Sequence, residues 1–263
     1  MATVCTATRG RNNVIDRMTN PEHHPMEKFH WQIATVKNIV QETPRVKTFT
    51  LQLPQWQPHL AGQHYDIRLT AEDGYQAQRS YSIASPPEQV GEIALTVELI
   101  EDGEVSAYLH QGVAVGDLLE VRGPIGGYFV WGQELVNLSL LLVAGGSGIV
   151  PLMSMLRHRA AIGATNPTAL LFSVRTAAEV IYRQELEQIQ GVDLRLTFTR
   201  QPPPDWMGYR RRIDKAMLTE VLNSFAIQPQ CFVCGSTQLV EQVANTLVDL
   251  GLPSHLIRTE RFG

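Results

Sequence analysis

The sequence predicts two domains, an antiparallel β-barrel followed by a doubly wound α/β domain with a mostly parallel sheet. Three observations carry that expectation. At 263 residues the chain exceeds what one hydrophobic core usually absorbs. Up to about Trp131 it consists of short apolar or β-branched runs separated by Pro, Gly and Asp turns, whereas beyond Trp131 strand-like and helix-like stretches alternate. The alternating half also opens on a buried apolar run that turns through glycines into a helical pattern, over residues 140–151.

In the first half, strands are expected over residues 30–40, 49–53, 64–69, 79–84, 93–100 and 117–122, with one short helical piece around 106–110. Six strands with so little helix between them suit a closed or nearly closed barrel. The second half reads strand 138–143, helix 151–162, strand 169–174, helix 182–190, strand 192–198, helix 215–225, strand 230–233 and helix 239–250. That alternation requires crossovers and hence a parallel sheet. The Pro202-Pro203-Pro204 run is a rigid surface connection inside this half, because the alternation resumes after it. Residues 29–132 and 133–263 are therefore the expected domains, and residues 1–28 a loose N-terminal tail.

Composition excludes several classes. With 44% hydrophobic and 18% charged residues the chain belongs with soluble globular proteins. A net charge of -4 offers no general attraction for nucleic acid or an anionic membrane. The longest apolar stretch, residues 138–146, is far shorter than the roughly 20 residues needed to cross a bilayer, so no membrane insertion is expected. The first 28 residues contain no apolar core of the kind that marks a secretory signal. Three cysteines make no disulfide framework and suit a reducing compartment, which makes the cytoplasm the expected location.

The segment Ala144-Gly145-Gly146-Ser147-Gly148 lets the backbone approach a pyrophosphate, and the helix start beyond it supplies N–H groups, with Pro151 suited to the first turn. Its spacing departs from G-x-G-x-x-G, and close strand-to-helix packing would also favour glycine here. The next strand ends on Ser173-Val174-Arg175 rather than on a carboxylate, with Arg183 on the following helix. A hydroxyl and guanidinium groups bind the 2'-phosphate that a carboxylate would repel, which favours NADPH and leaves NADH possible. The alternative leaves these arginines as solvated surface residues. In the barrel half, Arg79-Ser80-Tyr81-Ser82 lies on a strand, so Arg79 and Tyr81 project to one face and Ser80 and Ser82 to the other. Taken alone, it reads as an ordinary amphipathic strand.

In this order the motifs resemble the ferredoxin-NADP reductase superfamily over nearly the whole chain after residue 28. The resemblance implies FAD and NADP as cofactors. It places Arg79 at the flavin pyrophosphate, Tyr81 on the isoalloxazine and Ser82 near N5, with Ser80 on the same strand. Gly103-Glu104-Val105-Ser106 resembles the second flavin segment, whose N–H groups meet the pyrophosphate, while Thr96 and Val97 match backbone contacts to flavin. Gly123-Pro124-Ile125-Gly126-Gly127 resembles the closing turn of the barrel. On the nucleotide side, the resemblance assigns Gly146, Ser147 and Gly148 to the pyrophosphate, Ser173 and Arg175 to the 2'-phosphate, and Thr199 and Arg200 to the adenosine. Cys234-Gly235-Ser236 matches a Cys-Gly-Pro segment whose cysteine lies beside the nicotinamide, with serine replacing the proline. Glu260 and Phe262 match an acidic-then-aromatic ending that approaches the flavin: the carboxyl hydrogen-bonds or relays a proton, and the ring covers the flavin until nicotinamide displaces it. Ser82, Cys234 and Glu260 are thus the expected catalytic residues. Where the family has glycine and arginine, this chain has Tyr209-Arg210-Arg211-Arg212-Ile213.

The activity so implied passes hydride-derived electrons from NADPH through FAD to an external one-electron acceptor such as ferredoxin. Alternatives are a reductase subunit feeding a separate oxygenase or molybdenum enzyme, a free-flavin reductase, and a flavin redox sensor that does not turn over. A plant-type iron-sulfur centre needs four thiolates, and Cys5, Cys231 and Cys234 do not supply them. Cys231 and Cys234 form a C-x-x-C pair, but across an expected strand rather than at the helix start that activates redox pairs. The eight histidines show no metal-ligand spacing, and no metal site is expected.

Overall fold

The computed structural model describes residues 30–262; the expected tail, residues 1–28, lies outside the described residues. Strands β1 (Gln32–Thr43), β2 (Val46–Gln52), β3 (His64–Thr70), β4 (Gln76–Ser82), β5 (Glu92–Glu98) and β6 (Leu118–Ile125) form one sheet in the order β4-β3-β6-β1-β2-β5. All its pairings are antiparallel. The two end strands meet where Ile83 bridges Leu95 and the Ala84 N–H donates to the Ala94 carbonyl at 2.7 Å, so the sheet closes into a barrel. Phe49, Leu51, Tyr65, Ile67, Leu95, Val97 and Val121 fill it, and helix α1 (Glu104–Gln111) adds Val105 and Leu109 to the same core. Removing one such side chain from water stabilises the fold by about 2 kcal/mol, and Leu109→Ala would cost about 3 kcal/mol with its cavity.

The second half contains β7 (Leu140–Gly145), α2 (Ile149–Ala161), β8 (Thr168–Thr176), α3 (Arg183–Gln188), β9 (Asp193–Gln201), α4 (Lys215–Leu222), β10 (Gln230–Ser236), α5 (Thr237–Asp249) and β11 (Ile257–Phe262). Its sheet runs β11-β10-β7-β8-β9, and every pairing is parallel. The continuous apolar run of β7 follows from burial on both faces. Leu140, Leu142 and Ala144 pack in the layer of α2, whereas Leu141 and Val143 pack in the layer of α4 and α5. The chain winds outward from β7 in both directions and leaves a crevice at the carboxyl ends of the strands.

Strand β11 was not expected from the pattern of the sequence. Its residues include Arg258, Glu260 and Arg261, too polar to read as a strand, and it is the pairing with β10 that makes it one. The expected start of the third helix also shifts: Tyr182 has a left-handed backbone with φ 58°, and α3 begins at Arg183.

The two halves share one packed seam. Ala61, Ala84, Ala94, Phe129 and Trp131 join the core formed with Leu152, Met153, Met155 and Leu156 of α2. Ser154 Oγ donates to the Ser85 carbonyl and Arg157 Nη1 to the Ala84 carbonyl, each at 2.7 Å. Among the described residues no helix is long and apolar enough to cross a membrane.

Candidate active site at the junction of two clefts

The seam opens into two connected clefts. The larger, of about 840 Å³, is lined by Arg79, Ser80, Tyr81 and Ser82 of β4, Thr96 of β5, Gly103, Val105 and Ser106 around the start of α1, and Glu260 and Phe262 of β11. The smaller, of about 470 Å³, lies over the carboxyl ends of β7, β8 and β10. Glu98, Ile100, Ser147 and Phe262 line both, so the two meet at the end of β11.

In the larger cleft the exposed Arg79 guanidinium donates to the Gln78 carbonyl at 2.7 Å and has no ion-pair partner among the described residues. Gly103 starts α1 without a side-chain cap, which leaves the N–H groups of the first turn for a ligand. Ser106 Oγ turns back instead, donating to the Gly103 carbonyl and accepting from the Ile100 N–H, both at 3.2 Å. Tyr81 is half-buried, and burial pushes its phenol up to about 12, so the ring is a neutral flat wall. Ser80 Oγ donates to Asp66 Oδ1 at 2.6 Å and is held there. Ser82 Oγ donates to Glu260 Oε1 at 3.3 Å, joining the barrel to the final strand across 178 positions of sequence. Burial pushes the Glu260 carboxyl up to about 7, with the Ser82 hydroxyl pulling the other way. That carboxyl can hold or release a proton near neutrality.

In the smaller cleft, Gly146 has a left-handed φ of 55°, and a Cβ there would meet open space. A Cβ at Gly148 would lie 2.2 Å from the Cys234 carbonyl oxygen. The glycines thus serve both readings of the sequence, an open approach at 146 and close strand packing at 148. Ser147, Ser173, Arg175, Thr199, Arg200 and Gly235 line this cleft as expected neighbours. Thr199 Oγ1 donates to the Val174 carbonyl at 3.3 Å, tying β9 to β8 beside them.

Four expected residues line neither cleft, the first of them the buried Gly148. Arg183 pairs with Glu187 at 2.8 Å on an exposed face and lines neither cleft. Val97 points into the barrel core, and its carbonyl accepts from His110 Nε2 at 2.9 Å. The Cys234 side chain is fully buried and lines neither cleft, and burial holds its thiol well above the ordinary range. Only its neighbours Gly235 and Ser236 reach the nucleotide side. Cys231 and Cys234 sit in cores on opposite faces of the sheet, which separates the C-x-x-C thiols.

Sequence reasoning also missed residues that the fold brings in. His64 lines the larger cleft because it pairs with Ser82 across β3 and β4, and burial depresses its imidazole against the pull of Asp66. Arg212 lines the smaller cleft. Its neighbours are engaged otherwise, Arg211 with Asp214 at 2.5 Å and Arg210 with the Trp206 carbonyl at 3.1 Å. Arg175, Arg200 and Arg212 have no ion-pair partner among the described residues. The run of three arginines was the signal, but only the loop geometry selects the third.

The larger cleft therefore fits a long dinucleotide with a flat ring system, as FAD has: a guanidinium and an uncapped helix start for the pyrophosphate, an aromatic wall for the ring. The smaller fits a second dinucleotide that meets it end to end. Together they define a two-domain flavin- and nicotinamide-nucleotide oxidoreductase. Comparison with known proteins agrees. Residues 33–130 match the oxidoreductase FAD-binding domain and residues 142–245 the oxidoreductase NAD-binding domain. Ferredoxin--NADP reductase B of Sorangium cellulosum is 34% identical, covering 90% of this chain and 98% of that protein. The glycine betaine monooxygenase reductase subunit of Chromohalobacter salexigens is 31% identical, covering 94% of this chain and 69% of its own length. The chain spans about two thirds of the length of the monooxygenase reductase components it matches. In structure, a ferredoxin NADP+ reductase from Neisseria gonorrhoeae with bound FAD and NADP superposes with a TM-score of 0.75 at 22% identity, over 88% of this chain and 98% of that one, which shows the fold. The chain belongs to the ferredoxin-NADP reductase superfamily and is an FAD-containing NAD(P)H oxidoreductase.

Proposed function

We propose that the protein draws electrons from NADPH and passes them through FAD to a separate one-electron acceptor protein, a ferredoxin or an oxygenase component, in the cytoplasm. The observation that carries this reading is the Ser82–Glu260 hydrogen bond in the larger cleft, two residues before Phe262, which lines both clefts. Bound FAD supplies the conversion between a two-electron donor and a one-electron acceptor. The chain supplies everything else. Arg79 and the start of α1 hold the flavin pyrophosphate, and Tyr81 walls the ring. Ser82 orients the Glu260 carboxyl, which holds a proton in the larger cleft, and Phe262 lines both clefts where they meet. Arg175, Arg200 and Arg212 around Ser173 favour the 2'-phosphate and hence NADPH. The working domain boundary falls between residues 132 and 133, where the link runs from the barrel toward β7.

The similarity to monooxygenase reductase components favours an oxygenase-type acceptor beside ferredoxin. Anaerobic stopped-flow mixing at the flavin band tests the reading. The purified protein is expected to be yellow, and to bleach faster with NADPH than with NADH. Retention of flavin through gel filtration separates it from a free-flavin reductase, and reduction of added ferredoxin separates it from a sensor. A colourless protein, or a flavin that neither nucleotide bleaches, overturns the proposal.

A further inference from the structure

Tyr182 has no part in the reading above, yet it carries two unusual features. It is one of two non-glycine residues with positive φ among the described residues, and its ring is buried at 4% exposure. A left-handed backbone costs a non-glycine residue about 1 kcal/mol, so something must hold it there. Its hydroxyl lies 2.5 Å from Thr96 Oγ1 on β5, a residue that lines the larger cleft. Thr96 Oγ1 lies 2.8 Å from Thr48 Oγ1, and Thr48 in turn donates to Glu42 Oε1 at 2.7 Å.

Proton counting fixes the direction of this chain. Each hydroxyl has one proton to give. The Thr48 proton goes to the Glu42 carboxylate, so Thr48 accepts from Thr96, and Thr96 accepts from Tyr182. The phenol is therefore the donor, in keeping with burial, which holds its proton on well above the ordinary range. A carboxylate at the far end polarises every bond in such a series. The Arg157 guanidinium covers the same ring at 4.7 Å while donating to the Ala84 carbonyl at 2.7 Å and pairing with Glu185 at 2.5 Å. One end of the series thus belongs to the barrel strands β1, β2 and β5, and the other to the turn before α3.

We propose that Tyr182 is a positioning residue: its hydrogen bond to Thr96 sets how the α/β domain seats on the barrel, and so how the contents of the two clefts align. This rests on the proposed NADPH-to-FAD reaction. Neither the FAD pyrophosphate groups nor the arginines of the smaller cleft depend on the phenol, so its loss should separate alignment from binding.

The test is Tyr182→Phe, which keeps the ring under Arg157 and removes the donor. The expected result is full FAD content and unchanged NADP+ affinity by titration, with flavin bleaching by NADPH slowed about tenfold in single turnover. The long-wavelength charge-transfer absorbance of stacked nicotinamide and flavin should weaken in parallel, a signature that a general loss of stability would not move in the folded, flavin-loaded fraction. Thr48→Val should reproduce the defect and Thr48→Ser should restore the rate, while combining Thr48→Val with Tyr182→Phe should add little to either alone. Should Tyr182→Phe bleach at the wild-type rate with an undiminished charge-transfer band, the positioning role is wrong. Failure of the wild type to bleach would overturn the underlying reaction instead. If Tyr182→Phe yields no folded protein, the Thr48→Val and Thr48→Ser pair decides alone, and equal rates for these two overturn the proposal.

Discussion

The two clefts are built in different ways. The larger is made of side chains held by strand pairing: Arg79, Tyr81 and Ser82 on β4, His64 opposite them on β3, and Glu260 brought in from the last strand. The smaller has Gly145, Gly146 and Gly235 at the strand ends and, around its rim, Arg175, Arg200 and Arg212, which have no ion-pair partner among the described residues. The first, with an aromatic wall at Tyr81 and an uncapped helix start at Gly103, suits a resident cofactor. The other is a rim of exposed positive charge around an open turn and suits a substrate that enters and leaves. Hence side-chain truncation should damage the first most, and added bulk the second.

The largest effect expected is from bulk at the buried glycine of the turn beneath the smaller cleft. Gly148→Val would place Cβ against the Cys234 carbonyl, 2.2 Å away, and neither backbone can yield without moving α2 from β10. A loss of about 3 kcal/mol or more is expected, seen as a collapse of the thermal midpoint or of soluble yield. Gly146→Ala sharpens the contrast, since it meets open space and should cost only about 1 kcal/mol for its left-handed φ. Comparable midpoints for the two variants would break the distinction drawn between these glycines.

Next in size is truncation in the side-chain-built cleft. Arg79→Ala removes a guanidinium free of ion pairs among the described residues, and FAD affinity should fall by about 2 kcal/mol, roughly thirtyfold. Flavin-to-protein ratio after dialysis reads this directly, and full retention of flavin would remove Arg79 from the pyrophosphate site. A smaller and more selective effect is expected at the rim of the other cleft. Arg212→Ala should raise the KM for NADPH about tenfold while leaving that for NADH within twofold. An equal rise for both nucleotides would place Arg212 away from the 2'-phosphate.

A pH dependence is also expected in the larger cleft. Glu260 shifts upward, from an ordinary 4.5 to about 7, so the folded protein binds this proton more tightly than the unfolded chain. The stability it contributes is therefore fully present below about pH 4.5 and lost as pH rises through about 7. In flavin-free protein, Glu260→Gln should flatten that part of the curve of denaturation midpoint against pH. A mutant curve parallel to the wild type between pH 5 and 8 would show that the carboxyl is not desolvated in the larger cleft.

How much of this was legible in the sequence differs between the same two regions. The glycine turn after β7 is local: a strand, a turn and a helix start within a dozen residues, and its ligand-facing backbone follows from those residues alone. The strand Arg79-Ser80-Tyr81-Ser82 was legible as a strand, and the structure puts it on the wall of the larger cleft. Its neighbour His64 was not, because register between strands is a non-local fact. For the same reason β11 was missed, its charged sequence becoming a strand only by pairing with β10. Cys234 reads as a site residue by position in a motif, but the alternation of β10 turns its side chain into the core. Arg183 was placed near the 2'-phosphate by proximity in sequence, and the exposed face of α3 carries it to Glu187 instead.

The sequence by itself determined the barrel and the α/β half, the periods of their strands and helices, the glycine-rich turn and the strand that lines the larger cleft, because each of these rests on residues close together along the chain. Only the tertiary structure decided which side chains meet at the junction: Ser82 with Glu260, Thr96 with Tyr182, and Arg212 with the rim of the smaller cleft. Those meetings join residues tens to hundreds of positions apart, and are set by how the closed barrel packs against the parallel sheet rather than by any local pattern.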